Sequence, residues 1–471
     1  MPRKSFEVFV EPEVLVWGRE SIGRNIEDVA KQLNVSNGLV KRWENGEKKP
    51  TVNQLKKLAQ YYKRPLAVFF LPEPPKELSL PKDFRTLPEE TRIPLSPKTR
   101  LAIRRARRLQ SLAIELKSTL QQEIILKIGS VNLTDDPEDV ADQTRDFFGV
   151  GILTQFHWAN ENVALREWIK VLENLGLLVL RISFPIEDVR AFSLTDGGIP
   201  VIILNTQDHS IKARIFSLFH EFGHILLNRG GICDPNRSTW DAPDQQTSSE
   251  GIRLVEKFCN HFSGALLVPK EALLNHEIIK SMKSSPEWSD NTLGKIARDF
   301  KVSREVILRR LVILGLASQA FYQKKRAEWE VEAKVAKEEE KQKYLFCLER
   351  KFRQNLIDEF VSDELIEAFV NKNLSLSSDA LITQIDDMHW NLEDDDNTYK
   401  IEDTGTLLDI YKLKKGGGPP PPRKCIQENG VPFVSLVLES YAKEKITYSD
   451  VADYLGIRLK HIPKVERLVM E

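Results

Sequence analysis

Five residues, His220-Glu221-Phe222-Gly223-His224, interrupt an otherwise apolar helical pattern that reads IFSLF before them and ILL after. Histidines at i and i+4 share one face of a helix, about 6 Å apart. Burying two imidazoles and a carboxylate in an apolar helix costs several kcal/mol unless something compensates. A Zn²⁺ ion compensates, because both imidazoles can reach one tetrahedral site. The spacing is HExxH: His220 and His224 are expected as ligands. Glu221, one position on, is expected as the general base that takes a proton from zinc-activated water and passes it to the leaving amine. The helix 213–228 must therefore lie at the centre of a core.

A catalytic zinc usually takes a third protein ligand. Glu256 is the choice, at the start of a second apolar helix, VEKFCNHFSGALLVP, that ends at Pro269. Glu250, Asp234, Asp241 and His261 are the alternatives. His261 lies about 140° round the helix from Glu256, off its face, and Cys259 reads as core. Two apolar runs, LGLLVLRIS (175–183) and GIPVIILN (198–205), read as strands, with two helices over 139–175 before them. The second strand reads either as an edge strand beside the site, where it could pair with a peptide substrate, or as an ordinary core strand.

Residues 26–50, IEDVAKQLNVSNGLVKRWENGEKKP, read as helix, tight turn, helix. Ala30 lets the helices approach, Val35 fills the turn, Ser36 caps the second helix, and Val40 and Trp43 face inward. Ser36, Asn37, Gly38, Lys41 and Arg42 are the candidate DNA contacts, since Asn can read adenine and Arg guanine in the major groove. The segments 293–315 and 449–469 repeat the helix-turn-helix pattern; as helical subdomains they need no DNA.

The net charge of the 471-residue chain is −1, so charge must be read locally. Residues 1–71 hold 13 Lys/Arg against 8 Asp/Glu, and residues 97–127 hold 8 against 2. A polyanion would meet the N-terminal end. Ser96-Pro97 opens a long basic helix whose arginine pairs, 104–105 and 107–108, suit either solvent or phosphate. Four cysteines with no CxxC pair suit a reducing compartment. The start MPRKSFEVFVEPEV lacks a signal-peptide core, and no apolar run reaches membrane-spanning length. The expectation is a cytoplasmic protein with no membrane contact.

Several motifs together resemble a known family. A strand ending in Asn205, Arg214, HEFGH, E-x-x-C-N-x-F-S-x-x-L-L-V-P (256–269) and WSDNTLGKIARDFKVSREVILRRLVILGL (288–316) look like the ImmA/IrrE metallopeptidases. The resemblance implies His220, His224 and Glu256 as Zn²⁺ ligands and Glu221 as base. Cys259 and Ser263 stand where that family usually has alanine. The resemblance further implies a protein substrate, a repressor or toxin–antitoxin-type regulator. The stretch from the helix-turn-helix through WENGEKKPTVNQLKKLA and on to RPLAVFFLPEPP is similar to the Xre/Cro-type module fused to long members, which implies DNA as a partner. The alternative is a DNA-binding or antitoxin-like regulator whose zinc is structural or sensory.

The fold is thus expected to be mainly α with a small β-sheet. Its parts are a helix-turn-helix domain (1–71), a linker and basic helix (72–135), a zincin-like domain (136–285), a helical subdomain and charged helix (286–342), an insert of no assigned role (343–418) and a helical tail (419–471).

Overall fold

The computed structural model describes residues 6–76, 81–83, 94–228, 231–232, 250–281, 288–358 and 419–470. The polar loop 233–249, with Asp234 and Asp241, lies outside the described residues, as does most of the 343–418 segment. Two compact units result: Met1–Ala317 with Pro419–Glu471, and Ser318–Gly418.

The chain begins with four short helices: α1 (Pro12–Ser21), α2 (Ile26–Leu33), α3 (Asn37–Glu44) and α4 (Val52–Tyr61). Their ends are written in the sequence. Asn25 and Asp28 form a capping box at α2, Thr51 and Gln54 form another at α4, and the Ser36 hydroxyl accepts from Leu39 N–H at α3. Asn34 closes α2 in the left-handed conformation, where Asn is tolerated. Val14, Val29, Ala30, Val40, Trp43, Leu55, Leu58 and Phe69 fill the core, and Arg19 ties α1 to Glu44 of α3 at 2.7 Å.

A two-residue strand β1 (Lys82–Asp83) and then α5 (Pro97–Thr119) follow. Ser96 caps α5, and Asp188 accepts from Ser96 N–H and hydroxyl and from Thr99. This helix is shared by two cores. Leu101 packs on the helix-turn-helix core, while Ala102, Ile103, Ala106, Leu109, Ala113 and Leu116 line the core beneath the sheet. Its arginines are spent inside the chain. Arg104 donates to the Tyr62 and Lys63 carbonyls, Arg105 to Glu428 and Asn429, and Arg107 to Asp196. Only Arg108 of the two pairs is exposed. The helix is therefore a bracket, and the phosphate-contacting option is set aside for Arg104, Arg105 and Arg107.

Three helices, α6 (Pro137–Phe148), α7 (Ile152–His157) and α8 (Glu161–Asn174), stand where two were expected. Gly151 and Trp158, both extended at its ends, mark off the six-residue α7 that the sequence reading merged with its neighbours. Next come β2 (Leu178–Ile182), β3 (Ala191–Leu194), β4 (Val201–Asn205), α9 (Ile211–Leu226) and β5 (Gly231–Ile232). The sheet order is β1-β5-β3-β4-β2. β4 pairs parallel with β2 and antiparallel with β3, so of the two readings of this strand it is the interior one that holds. Its five residues are all buried and carry no outward polar set, which is what a strand flanked on both sides requires. Alternation sends Leu178, Leu180, Ile182, Phe192, Leu194, Val201 and Ile203 into the core with α5. Val179, Ala191, Ser193, Ile202 and Leu204 take the other face, against α8 and α9.

α10 (Glu250–Leu267), α11 (Lys270–Leu274), α12 (Glu277–Ser281), α13 (Asp290–Phe300) and α14 (Arg304–Ile313) complete this part. The α13–α14 pair has helix-turn-helix character, with Ser303 as cap. Its arginines are paired within the chain: Arg304 meets Asp290 at 3.3 Å and Arg309 meets Glu305 at 2.6 Å near the surface, and Arg310, fully buried, makes a two-pronged pair with Glu138 of α6. His261 joins the same carboxylate at 2.6 Å. Burial acts to raise the Glu138 carboxyl, but the hydrogen bonds from Arg310 and His261 win and hold it well below its ordinary range, at about 2.

In the second unit, α15 (Gln319–Asp358) is a long charged helix with i,i+3 and i,i+4 ion pairs such as Lys325–Glu328 and Arg326–Glu330. The chain returns to the first unit as α16 (Pro421–Asn429), α17 (Val431–Ala442), α18 (Tyr448–Leu455) and α19 (Ile462–Met470). These helices are no tail. Phe433, Val434, Val437, Val451, Leu455, Ile462 and Val465 belong to the core that α5 and the sheet share. No helix among the described residues is long and apolar enough to cross a membrane.

Candidate metal centre

The site is built where α9 and α10 touch. Gly223, inside HEFGH, makes that contact close: a Cβ there would meet Cys259 Sγ at 3.2 Å and its Cα at 3.3 Å. A small residue at position 259 is needed for the same reason. The proximity brings Glu256, one turn before Cys259, over the two histidines.

His220, His224 and Glu256 lie together, each buried, with ligand-type atoms all within 4.8 Å of one another. The two Nε2 atoms are 3.2 Å apart. Each lies 3.2 Å from a different oxygen of Glu256. Protons alone serve this triangle poorly, because an N–H aimed at the carboxylate cannot also lie on the line to the other nitrogen. An ion fits it. Ligands about 2.0–2.1 Å from a tetrahedral Zn²⁺ stand roughly 3.3–3.4 Å apart, close to the observed edge. Two imidazoles and a carboxylate are also the donor set that suits a first-row divalent ion.

Glu221 sits on the same helix, 1 % exposed, turned toward the sheet. Ser193 of β3 donates its hydroxyl to Glu221 Oε2 at 2.8 Å. Burial pushes this carboxyl up from its ordinary value, while His224, His220 and the Ser193 hydrogen bond pull it down. Burial likewise acts on Glu256, but the two histidines beside it win and hold it ionised well below the carboxylate range.

The other expected residues divide. His261 is taken by Glu138, away from the triangle. Glu250 begins α10, six residues before Glu256. Asn37, Gly38, Lys41 and Arg42 lie exposed on α3, on the face the sequence reading assigned to DNA. Ser36 is exposed too, but its hydroxyl is occupied as the helix cap. Two residues were missed. Ser193 lies in AFSL, a four-residue strand with no turn signal to announce it. Asn260, within hydrogen-bonding reach of His220 one turn beyond Glu256, was quoted in the motif without a role.

Residues 172–312 match the peptidase M78 family, described as the IrrE N-terminal-like domain and made up of zincin-like metallopeptidases. Residues 17–69 match a helix-turn-helix family. No curated protein matches the chain. The first segment contains His220, Glu221, His224, Glu256 and Ser193; the second contains all of α2 and α3.

Proposed function

We propose that this chain is a zinc-dependent endopeptidase that cleaves a regulatory protein, brought to it at DNA by the helix-turn-helix segment. The observation that carries the reading is the buried triangle of His220, His224 and Glu256 with a second acidic residue, Glu221, beside it and outside it. A structural metal site would need no such carboxylate.

The three residues would hold the ion, which when bound supplies Lewis acidity toward water and the scissile carbonyl. Glu221 does the proton work. Its carboxylate accepts a proton as water oxygen bonds to the carbonyl carbon, and delivers that proton to the amine nitrogen as the C–N bond breaks. The products are a carboxylic acid and an amine, with no proton unaccounted for. Glu221 is itself 1 % exposed, and that burial keeps bulk water from the carboxylate.

The partner follows from α3. Its exposed Asn37, Lys41 and Arg42 offer donors to base edges and phosphate, and a repressor-like or antitoxin-like regulator is the protein class found at such sites. The reading is tested with purified full-length protein, its metal content measured, and a helix-turn-helix regulator encoded beside its gene. Metal-loaded wild type cleaves that regulator, and Glu221→Gln retains the metal but does not. Wild type and Glu221→Gln behaving alike in cleavage while both still regulate would favour a sensory or structural zinc.

A further inference from the structure

We infer that Ser193 is a positioning residue for Glu221: its hydroxyl fixes one carboxylate oxygen so that the other is turned to the metal centre. This rests on the peptidase reading above for its functional meaning, and on geometry for the contact itself.

β3 alternates sharply. Phe192 and Leu194 enter the core beneath the sheet, and Ala191 and Ser193 face α9. The α9-facing side of β2 and β4 is apolar where it is fully buried, at Val179, Ile202 and Leu204. Ser193, itself 0 % exposed, is the polar residue in that layer opposite Glu221. A buried hydroxyl without a partner is unfavourable, because it loses its bond to water and gains none in return. Ala would therefore be the better choice at 193 if packing were all that mattered. The hydroxyl donates to Glu221 Oε2 at 2.8 Å, and Oε1 carries no hydrogen bond to any described residue. A glutamate has three side-chain torsions, so a helix alone does not aim its carboxyl. β3 is clamped by β4 along all four residues, and a donor on that strand is a fixed point outside α9. The single bond from it selects one rotamer and divides the two oxygens: Oε2 is held, Oε1 is free to accept and release the proton. Throughout that transfer Ser193 keeps its own hydrogen and donates to Oε2, so it changes no charge itself.

The experiment uses full-length Ser193→Ala, Ser193→Thr, Glu221→Ala and the Ser193→Ala/Glu221→Ala double variant, each reloaded with Zn²⁺. Metal content and zinc affinity are expected unchanged in Ser193→Ala. Its kcat on the neighbouring regulator is expected to fall about 10- to 100-fold with KM within about twofold, and Ser193→Thr, which keeps the hydroxyl, to recover most of the rate. A second readout needs no substrate. In denaturant unfolding of the metal-free chains, Ser193→Ala should destabilise the Glu221 protein and leave the Glu221→Ala protein nearly unaffected. Wild-type kcat in Ser193→Ala, or a rise in KM alone, overturns the inference. So do additive losses in the unfolding cycle. If wild type cleaves no regulator, the peptidase reading falls, and the cycle decides the Ser193–Glu221 pairing independently.

Discussion

Glu173, at the end of α8, carries a carboxyl wedged against the first turn of α17. The Val431 N–H donates to it, while Oε1 is buried with no hydrogen-bond partner among the described residues. The backbone leaves no slack: a Cβ on Gly430, whose φ is +77°, would stand 2.9 Å from Oε1 and 2.9 Å from the Val179 carbonyl. Burial pushes the Glu173 carboxyl up to about 8, outweighing the pull of Arg181 and the Val431 amide. The folded chain thus holds a proton that the unfolded chain releases near its ordinary value of 4.5. Folding takes up that proton between these two pH values, so stability falls as pH rises from about 4.5 to about 8 and is level outside that window. A shift from 4.5 to about 8 corresponds to about 5 kcal/mol at most, at about 1.4 kcal/mol per pH unit. Glu173→Gln keeps the shape and the acceptor and removes the titration. The assay is thermal unfolding of wild type and variant from pH 5 to pH 9, with hydrogen exchange of the α17 amides as the local readout. The two proteins should be alike near pH 5. The variant should gain steadily toward pH 8, with slower exchange at the start of α17. Parallel stability curves would falsify the assignment. A wild type that gains on the variant as pH rises would mean that Glu173 is ionised and paired with Arg181.

Glu221→Gln should bind one zinc per chain as wild type does and lose cleavage by at least about 10²-fold, the usual scale for a general base; elemental analysis and a purified cleavage assay check this, and near-wild-type cleavage refutes it. Glu256→Ala should lose most of its zinc affinity, and full retention in competition with a chelator would remove Glu256 from the ligand set. Gly223→Ala must part α9 from α10 by a few tenths of an ångström, and zinc affinity should drop by at least about tenfold; an unchanged affinity would show that the contact at Cys259 can yield freely. Lys41→Ala and Arg42→Ala should each weaken duplex DNA binding and reduce its salt slope by about 1; an unaltered slope would mean that α3 faces a protein instead.

What could be read from the sequence was what is local. The helix caps at Ser36, Ser96 and Ser303 and the i,i+4 histidines each declare themselves within a few residues of their partners. Glu256 was reachable because a helix period fixes which neighbours share its face. Ser193 was not, since its partner is 28 residues away and its strand is only four residues long. The α5 arginines stayed undecided for a related reason: a basic run looks the same whether it meets phosphate or carbonyls, and Arg105 finds Glu428 across 323 residues of chain. Whether β4 is an edge or an interior strand stayed open, because a continuous apolar run identifies a buried strand without saying how many neighbours bury it.

With α5 packed into two cores at once, the segment between reader and blade is not a leash. Arg104 grips the last turn of α4 while Gln110, less than two turns on, grips the Asp196 and Ile199 carbonyls beside the sheet. Effective concentration in its usual sense, set by the length of a floppy linker, does not apply to such a mount. The chain behaves as a caliper of set span. A partner held on the same duplex comes within its jaws only at one rotational phase, so cleavage at DNA would rise and fall with the helical repeat of about 10 bp. Moving the two binding sites apart by about half a turn, roughly 5 bp, would carry the partner to the opposite side of the helix. Cleavage indifferent to that insertion would show that the caliper opens.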